Sequence, residues 1–507
     1  MKVPTDRSAF EATYNAGKAQ LVWLEQIADL ETPVSAMLKL SAELPFSFLL
    51  ESVEGGAIRG RYSFIGLNPD IIWRCQHNDA EICRDPEPGA LKFTPCKAPS
   101  LDSLRSVLAE SAIDLPEGMP PMAAGLVGYM SYDMVRLMEH IPDNNPDVLG
   151  LPSGLFIRPT TIAVFDTIED TVTIVTPVRP LPSVSADAAY TSAQARVNDV
   201  RTRLMGQALA ARPPSPDTVP QSDAETHAKE PVSNMSRDDF HTMVHRAKDY
   251  IRAGDAFQVV VSQRFEMQFD LPPFELYRAL RRLNPSPYLF YLNFDEFSIV
   301  GSSPEILVRV RDGIVTIRPI AGTRPRGATP LEDKALAEEL LSDPKELAEH
   351  LMLLDLGRND VGRVAETDSV QVTDKFFIEY YSHVMHIVSN VIGRISDQYD
   401  ALSALVAGFP AGTVSGAPKV RAMEIIDELE PERRGVYAGC IGYFGADGDM
   451  DTCIALRTAV VKDNKVYVQA GGGVVADSDP EGEYQESLNK ARGVMRAVEE
   501  AIRVNSH

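Results

Sequence analysis

The sequence is poor in the groups that build covalent frameworks. Its five cysteines, Cys75, Cys83, Cys96, Cys440 and Cys453, include no CxxC pair. An odd, sparse set argues against disulfides and for a reducing compartment. No apolar run reaches the roughly 18 residues of a membrane-spanning helix, so no membrane partner is expected. The N-terminal MKVPTDRSAFEATYNAGK has no apolar core and no cleavage signature, and a cytoplasmic location is expected. A basic stripe is missing too. The net charge is −23, which argues against nucleic acid as a partner and means that an anionic ligand needs local Arg, Lys or metal. No GxGxxG follows a strand pattern, so a dinucleotide fold is not indicated.

What remains is an ordinary globular composition, 44% apolar and 24% charged over 507 residues, long enough for two or three domains. Residues 205–234 are rich in Pro, Ser, Asp and Ala and nearly devoid of large apolar groups, which predicts a linker or mobile loop. It divides residues 1–204 from residues 235–507. In the second part a helix is predicted from Arg237 to Ala253, ended by Gly254, followed by the β-branched run FQVVVSQRFEM. Hairpin turns are predicted at Asp312-Gly313, Asp447-Gly448 and Asp463-Asn464. Helices are expected at about 344–357 and 416–429, and after Pro480. In the first part SFLLESV, RYSFIGLNP and the stretches near 123–130 and 161–177 read as strands. Hairpin-connected strands with interspersed helices predict an α+β fold, with antiparallel sheets packed in a sandwich-like core and helices around it.

Two helices carry candidate chemistry. In SDPKELAEHLMLLDL, Asp343 caps, Pro344 sits at the first helical position, and Glu346 and Glu349 share a face. In the last helix Tyr484, Leu488, Ala491, Met495, Val498 and Ile502 form an apolar stripe, and Glu483, Glu486 and Lys490 share a displaced face. Spacing alone favours solvated acidic faces. The alternative is that the two pairs jointly hold a hard cation such as Mg²⁺, which prefers oxygen ligands. The run Gly471-Gly472-Gly473, between a strand and the acidic helix, reads as a tight loop or as bare N–H groups for a carboxylate. His386, among apolar neighbours, reads as a hydrogen-bonded core histidine or as an acid–base group.

Taken together, RPIAGTRPRG, KELAEHLMLLDLGRNDVGRV, VMHIVS, GTVSGAPKVRAMEIIDELEP, GYFGADGDMDTCIALRTAV and QAGGGVVADSDPEGEYQESLNKAR resemble the chorismate-utilising enzymes in order and spacing. The resemblance implies that Glu349 and Glu486 bind Mg²⁺ directly, with Glu346 and Glu483 supporting them. It implies that Gly322, Thr323, Tyr437, Arg457, Gly471, Gly472, Gly473 and Lys490 contact chorismate. His386 matches an acid–base position, and Thr413 lies in a matching catalytic loop.

Two positions discriminate within the family. Isochorismate and salicylate synthases place a water-activating Lys where this chain has Gln258. Aminodeoxychorismate synthases commonly carry a nucleophilic Lys where this chain has Ala321, which cannot form an adduct. Both departures point to the anthranilate synthases of the component I type, with aminodeoxychorismate synthase as the alternative. The implied reaction aminates chorismate at C2 and expels pyruvate, with His386 protonating the departing C4 hydroxyl. No cysteine stands in a glutaminase context, so the resemblance implies a separate glutamine amidotransferase subunit and a hetero-oligomer. Ser52, Pro287, Tyr288 and Leu289 resemble a tryptophan feedback site. A non-catalytic tryptophan-binding regulator is the reading from another class.

Overall fold

A computed structural model describes residues 6–41, 44–54, 58–87, 89–206, 230–381 and 384–505. Asp312 and Gly313 have φ 50° and 71°, and Asp463 and Asn464 have φ 52° and 57°. Positive φ at both central residues gives the two-residue turn whose twist matches paired strands. These turns close the hairpins Ile306–Arg311 with Ile314–Ile317 and Thr458–Lys462 with Lys465–Val474. The turn at Gly448 joins Cys440–Gly445 to Met450–Ile454.

Among the described residues, twenty-two strands join in one hydrogen-bonded network. The pairings are antiparallel, as the hairpin pattern predicts. They also join the two sides of the 205–234 span. Ser47–Glu51 pairs with both Tyr62–Gln76 and Tyr288–Asn293, setting Leu289 opposite Glu51. Gly125–Met130 pairs with Cys440–Gly445. Within 205–234, residues 207–229 lie outside the described residues. Met205 ends the helix Ala186–Met205, and Val232–Ser233 is a short strand on Gln258–Gln268, so the ends of the expected linker are regular structure.

Helices cover the sheets. The helix Arg237–Ala253 ends at Gly254, φ 88°, as predicted. The helix Pro344–Gly362 runs five residues past its expected end. Its N-terminus is capped by Asp343, whose carboxylate accepts from the Lys345 and Glu346 amides. The helix expected from 416 begins at Lys419, because Gly416–Ala417 is a strand paired with Gln258–Val259 and Pro418 follows. The helix Pro480–Asn505 buries Ala491, Val494, Met495, Val498 and Ala501 in the core around Tyr277 and Leu280. Each such valine contributes about 1.5–3 kcal/mol by leaving water. No helix among the described residues is long and apolar enough to cross a membrane.

Candidate active site

Gly322 is the hinge of the site. Ile320–Pro325 pairs with Val384–Arg394, and the register slips between Ala321 and Thr323. Gly322 occupies the slip with φ 75°, a conformation costly for residues with a Cβ. The slip sets Thr323 opposite His386. The His386 Nδ1 lies 3.1 Å from the Gly322 carbonyl oxygen and 3.0 Å from Thr323 Oγ1. A carbonyl only accepts, so Nδ1 carries the proton toward Gly322 and Nε2 keeps its lone pair. Burial pushes the His386 pKa down to about 4, aided by the positive charges of Arg457 and Lys490. The imidazole is therefore neutral at pH 7.

The two acidic pairs line the same cavity as His386. It holds about 580 Å³ and is lined by Glu346, Glu349, Glu483, Glu486, Thr413, Tyr437, Arg457 and Lys490. Gln258, Gly322, Thr323, Gly471 and Gly473 line it too. Each carboxylate pair comes from one helix, as their spacing predicts. Each of the four carboxylates has a protein partner, Glu483 through the Ser478 side chain. Gln258 Nε2 donates to Glu349 at 2.9 Å, Arg324 to Glu346 at 3.2 Å, and Lys490 pairs with Glu486 at 2.7 Å. The buried Glu483 Oε2 has none, and neither has Gln258 Oε1. Burial raises the Glu349 pKa, and the nearby Glu346 and Glu486 charges add to it. Burial likewise raises Glu483, with Glu486 adding. Among the described residues no three His, Cys, Asp or Glu side chains converge closely enough to hold an ion. Glu346, Glu349 and Glu486 are held in separate bonds to Arg324, Gln258 and Lys490. An all-oxygen donor set with mutual repulsion and one orphaned oxygen fits a hard divalent cation.

The three glycines lie within the strand Lys465–Val474, not in a loop after it. Gly471, Gly472 and Gly473 stand opposite Ser262, Val261 and Val260. A Cβ on Gly471 would meet the Val261 carbonyl oxygen at 2.1 Å. One on Gly472 would meet Glu483 Oε2 at 2.5 Å, and one on Gly473 would meet Gln258 Nε2 at 2.5 Å. The run thus clears space for neighbouring backbone and for site side chains. The Gly471 carbonyl accepts from Lys490 Nζ at 3.0 Å.

Arg457 has φ 48°, left-handed for a side chain that disfavours it. Burial lowers its pKa, against the opposing influence of Tyr381 and Glu305. Among the described residues no carboxylate forms an ion pair with it. A half-buried, unpaired guanidinium in a cavity is a ready partner for an anion. Tyr437 is held beneath Arg434, whose guanidinium lies 5.5 Å from its ring centroid and is itself paired with buried Glu430.

Sequence reasoning missed Glu305. It lines the cavity and accepts from Thr413 Oγ1 at 3.0 Å. Burial pushes its pKa up to about 8, against the lowering influence of Thr413, Lys490 and Arg457. The signal was a lone carboxylate in SSPE, between the strands Ser298–Ser303 and Ile306–Arg311, a position that offers no spacing pattern. Ser52, Pro287, Tyr288 and Leu289 line a second cavity of about 890 Å³, together with Leu50 and Glu51. Tyr288 donates to the half-buried Asp451 at 3.0 Å there.

This fold, with one cavity joining carboxylate pairs to a free arginine, belongs to a known class. Residues 65–496 match the chorismate binding enzyme family, and the chain belongs to it. The chain is 57% identical over 501 residues, 98% of each chain, to anthranilate synthase component 1 of Cereibacter sphaeroides. It is 48% identical to that of Pseudomonas aeruginosa, over 94% of each. The crystal structure of anthranilate synthase component I from Streptococcus pneumoniae superposes with a TM-score of 0.72 at 38% identity, covering 93% of this chain and 99% of the other. The menaquinone-specific isochorismate synthase of Escherichia coli shares the fold, with a TM-score of 0.70 at 19% identity, covering 97% of this chain and 99% of that one.

Proposed function

We propose that this chain carries out the reaction of its component 1 relatives, converting chorismate and ammonia to anthranilate, pyruvate and water. The observation that carries this reading is the single cavity holding four carboxylates, unpaired Arg457, neutral His386 and protonated Glu305. Gln258 and Ala321, which offer neither a base nor a nucleophile, favour ammonia as the attacking group and oppose a lysine adduct.

Glu349 and Glu486 would hold Mg²⁺, with Glu346 and Glu483 supporting them. When bound, Mg²⁺ supplies charge neutralisation and a template for one chorismate carboxylate. Arg457 takes the other carboxylate through its two-pronged guanidinium. Thr323, Tyr437, Lys490 and the glycine strand shape the remaining contacts. Ammonia attacks C2, the ring double bonds shift, and the C4–O bond breaks. The proton that turns the departing hydroxyl into water comes from Glu305, which is protonated at pH 7. We assign this step to Glu305 rather than His386, because the His386 Nδ1 proton is committed to the Gly322 carbonyl and its Nε2 carries none. His386 Nε2 is instead free to accept the C2 proton as the ring aromatises. The electron pair of that C–H bond expels the enolpyruvyl group as pyruvate. Holding a small nucleophile against a fixed ring supplies much of the rate.

Ammonia is expected from a glutamine amidotransferase subunit, as the relatives' designation as component 1 supports. The 890 Å³ cavity, walled by strands from both sides of residues 205–234, fits tryptophan as a feedback inhibitor at Ser52, Pro287, Tyr288 and Leu289. The test is product identity. Purified chain with chorismate, Mg²⁺ and ammonium should yield fluorescent anthranilate, whereas aminodeoxychorismate without anthranilate would contradict the reading.

A further inference from the structure

The two cavities meet at one side chain. Tyr381 lines the larger cavity, and its ring packs edge-on against His386 of the smaller one, with centroids 5.4 Å apart and planes at 67°. Its hydroxyl donates to Glu379 Oε2 at 2.9 Å. The other oxygen of Glu379 pairs with Arg318, and both of these residues line the larger cavity. Pro304 and Ile320 line both cavities, so a single layer of side chains divides them. The backbone at Tyr381 is fixed. Its amide donates to Val384 O at 2.8 Å, and its carbonyl accepts from Arg326 at 2.7 Å. Glu379 is also the ladder partner of His386. With the main chain pinned at both groups, the freedom left at Tyr381 is in its side chain, and Glu379 sets it.

We propose that Tyr381 is a positioning residue for His386, and that the chain Arg318–Glu379–Tyr381 transmits occupancy of the larger cavity to the smaller. The proposal rests on the chorismate and tryptophan assignments above. An occupant bearing an ammonium and a carboxylate, as an amino acid does, competes for Glu379 and Arg318. An ammonium that takes Glu379 withdraws the acceptor from the Tyr381 hydroxyl, and a carboxylate that takes Arg318 releases Glu379 to follow it. The ring then loses its anchor, and His386 loses the packing that complements its Nδ1 bonds to Gly322 and Thr323. Such coupling is reciprocal, so chorismate weakens binding in the larger cavity by the same factor.

The test compares wild type with Tyr381→Phe, which keeps the ring and removes the hydroxyl. Turnover, tryptophan calorimetry and the ¹⁵N signals of the His386 ring, assigned with His386→Gln, are the readouts. The expected result is a kcat lower by about tenfold, the scale of one lost hydrogen bond, with the chorismate KM little changed. Tryptophan should still bind the variant but no longer move the His386 signals, which it does move in wild type. An unchanged kcat, or His386 signals that respond as in wild type, overturns the proposal. Glu379→Gln provides a second route if Tyr381→Phe folds poorly. It keeps an acceptor for Tyr381 but breaks the ion pair, so it should lose the tryptophan response while kcat falls less. If wild type makes no anthranilate, the functional reading fails, and the His386 signals still decide the positioning claim. Signals identical in wild type and Tyr381→Phe, with and without tryptophan, overturn it.

Discussion

Thr413 donates a hydrogen bond to Glu305 Oε1 at 3.0 Å, in the cavity that Arg457 also lines. That bond and the charges of Lys490 and Arg457 favour the ionised carboxylate, yet burial outweighs them and the pKa stands at about 8. An acid that keeps its proton at neutral pH is what departure of a hydroxyl needs. His386, pushed the other way, keeps an open lone pair.

The first prediction is a pH limb. Glu305 is protonated below about pH 8 and ionised above it. At constant free ammonia, kcat should fall as pH rises through that value. Glu305→Gln should remove the limb and lower kcat by about 10²–10⁴-fold, with chorismate affinity preserved. The same group contributes to stability in the same direction. Its folded-state pKa is raised from the ordinary 4.5, so its contribution is complete below about pH 4.5 and is lost progressively as pH rises to about 8. Thermal melts of the two proteins across that range check the sign.

Glu349→Gln and Glu486→Gln should each reduce Mg²⁺-dependent turnover by at least about 100-fold. Without Mg²⁺, Glu349→Gln should melt no lower than wild type, because it removes a half-buried charge that is repelled by Glu346 and Glu486. Calorimetric Mg²⁺ titration and circular dichroism melts separate the two effects. Near-normal Mg²⁺ dependence in both variants would remove these residues from the site.

Arg457→Lys keeps one positive charge but loses the fork that grips a carboxylate. Its kcat/KM for chorismate should fall by about 10–100-fold, the scale of a charge-assisted hydrogen bond of about 1.5–3 kcal/mol. Arg457→Gln should fall further. Steady-state kinetics over chorismate concentration read both.

Two adjacent glycines should respond differently. Gly471→Ala drives a methyl into the Val261 carbonyl, and fixed backbone yields little. A loss of about 1–3 kcal/mol in stability is expected, seen as a lower urea midpoint. Gly472→Ala meets the carboxylate end of Glu483, which can move. Stability should change less, while Mg²⁺ affinity falls.

Much of this was legible in the sequence, for physical reasons. Asp312-Gly313 and Asp463-Asn464 announce hairpins because few residues tolerate left-handed backbone at two successive positions. Glu346 with Glu349, and Glu483 with Glu486, announce shared helix faces. Spacing could not say that these two faces, separated by more than a hundred residues of chain, line one cavity; only the family resemblance implied it. Glu305 was invisible because its pKa depends on burial by elements distant in sequence. The glycine run looked like a loop, since nothing local shows that Val261, Glu483 and Gln258 occupy the Cβ positions. The joining of Ser47–Glu51 to Tyr288–Asn293 across a polar span leaves no mark on either segment.

The central claim is that one cavity binds a divalent ion and chorismate together, and calorimetry without ammonia tests it most directly. Chorismate should bind much more tightly with Mg²⁺ than without it, Mg²⁺ should gain the same factor from chorismate, and Glu349→Gln should abolish both gains. Chorismate affinity that ignores Mg²⁺ in wild type, or a gain that survives Glu349→Gln intact, would contradict the account.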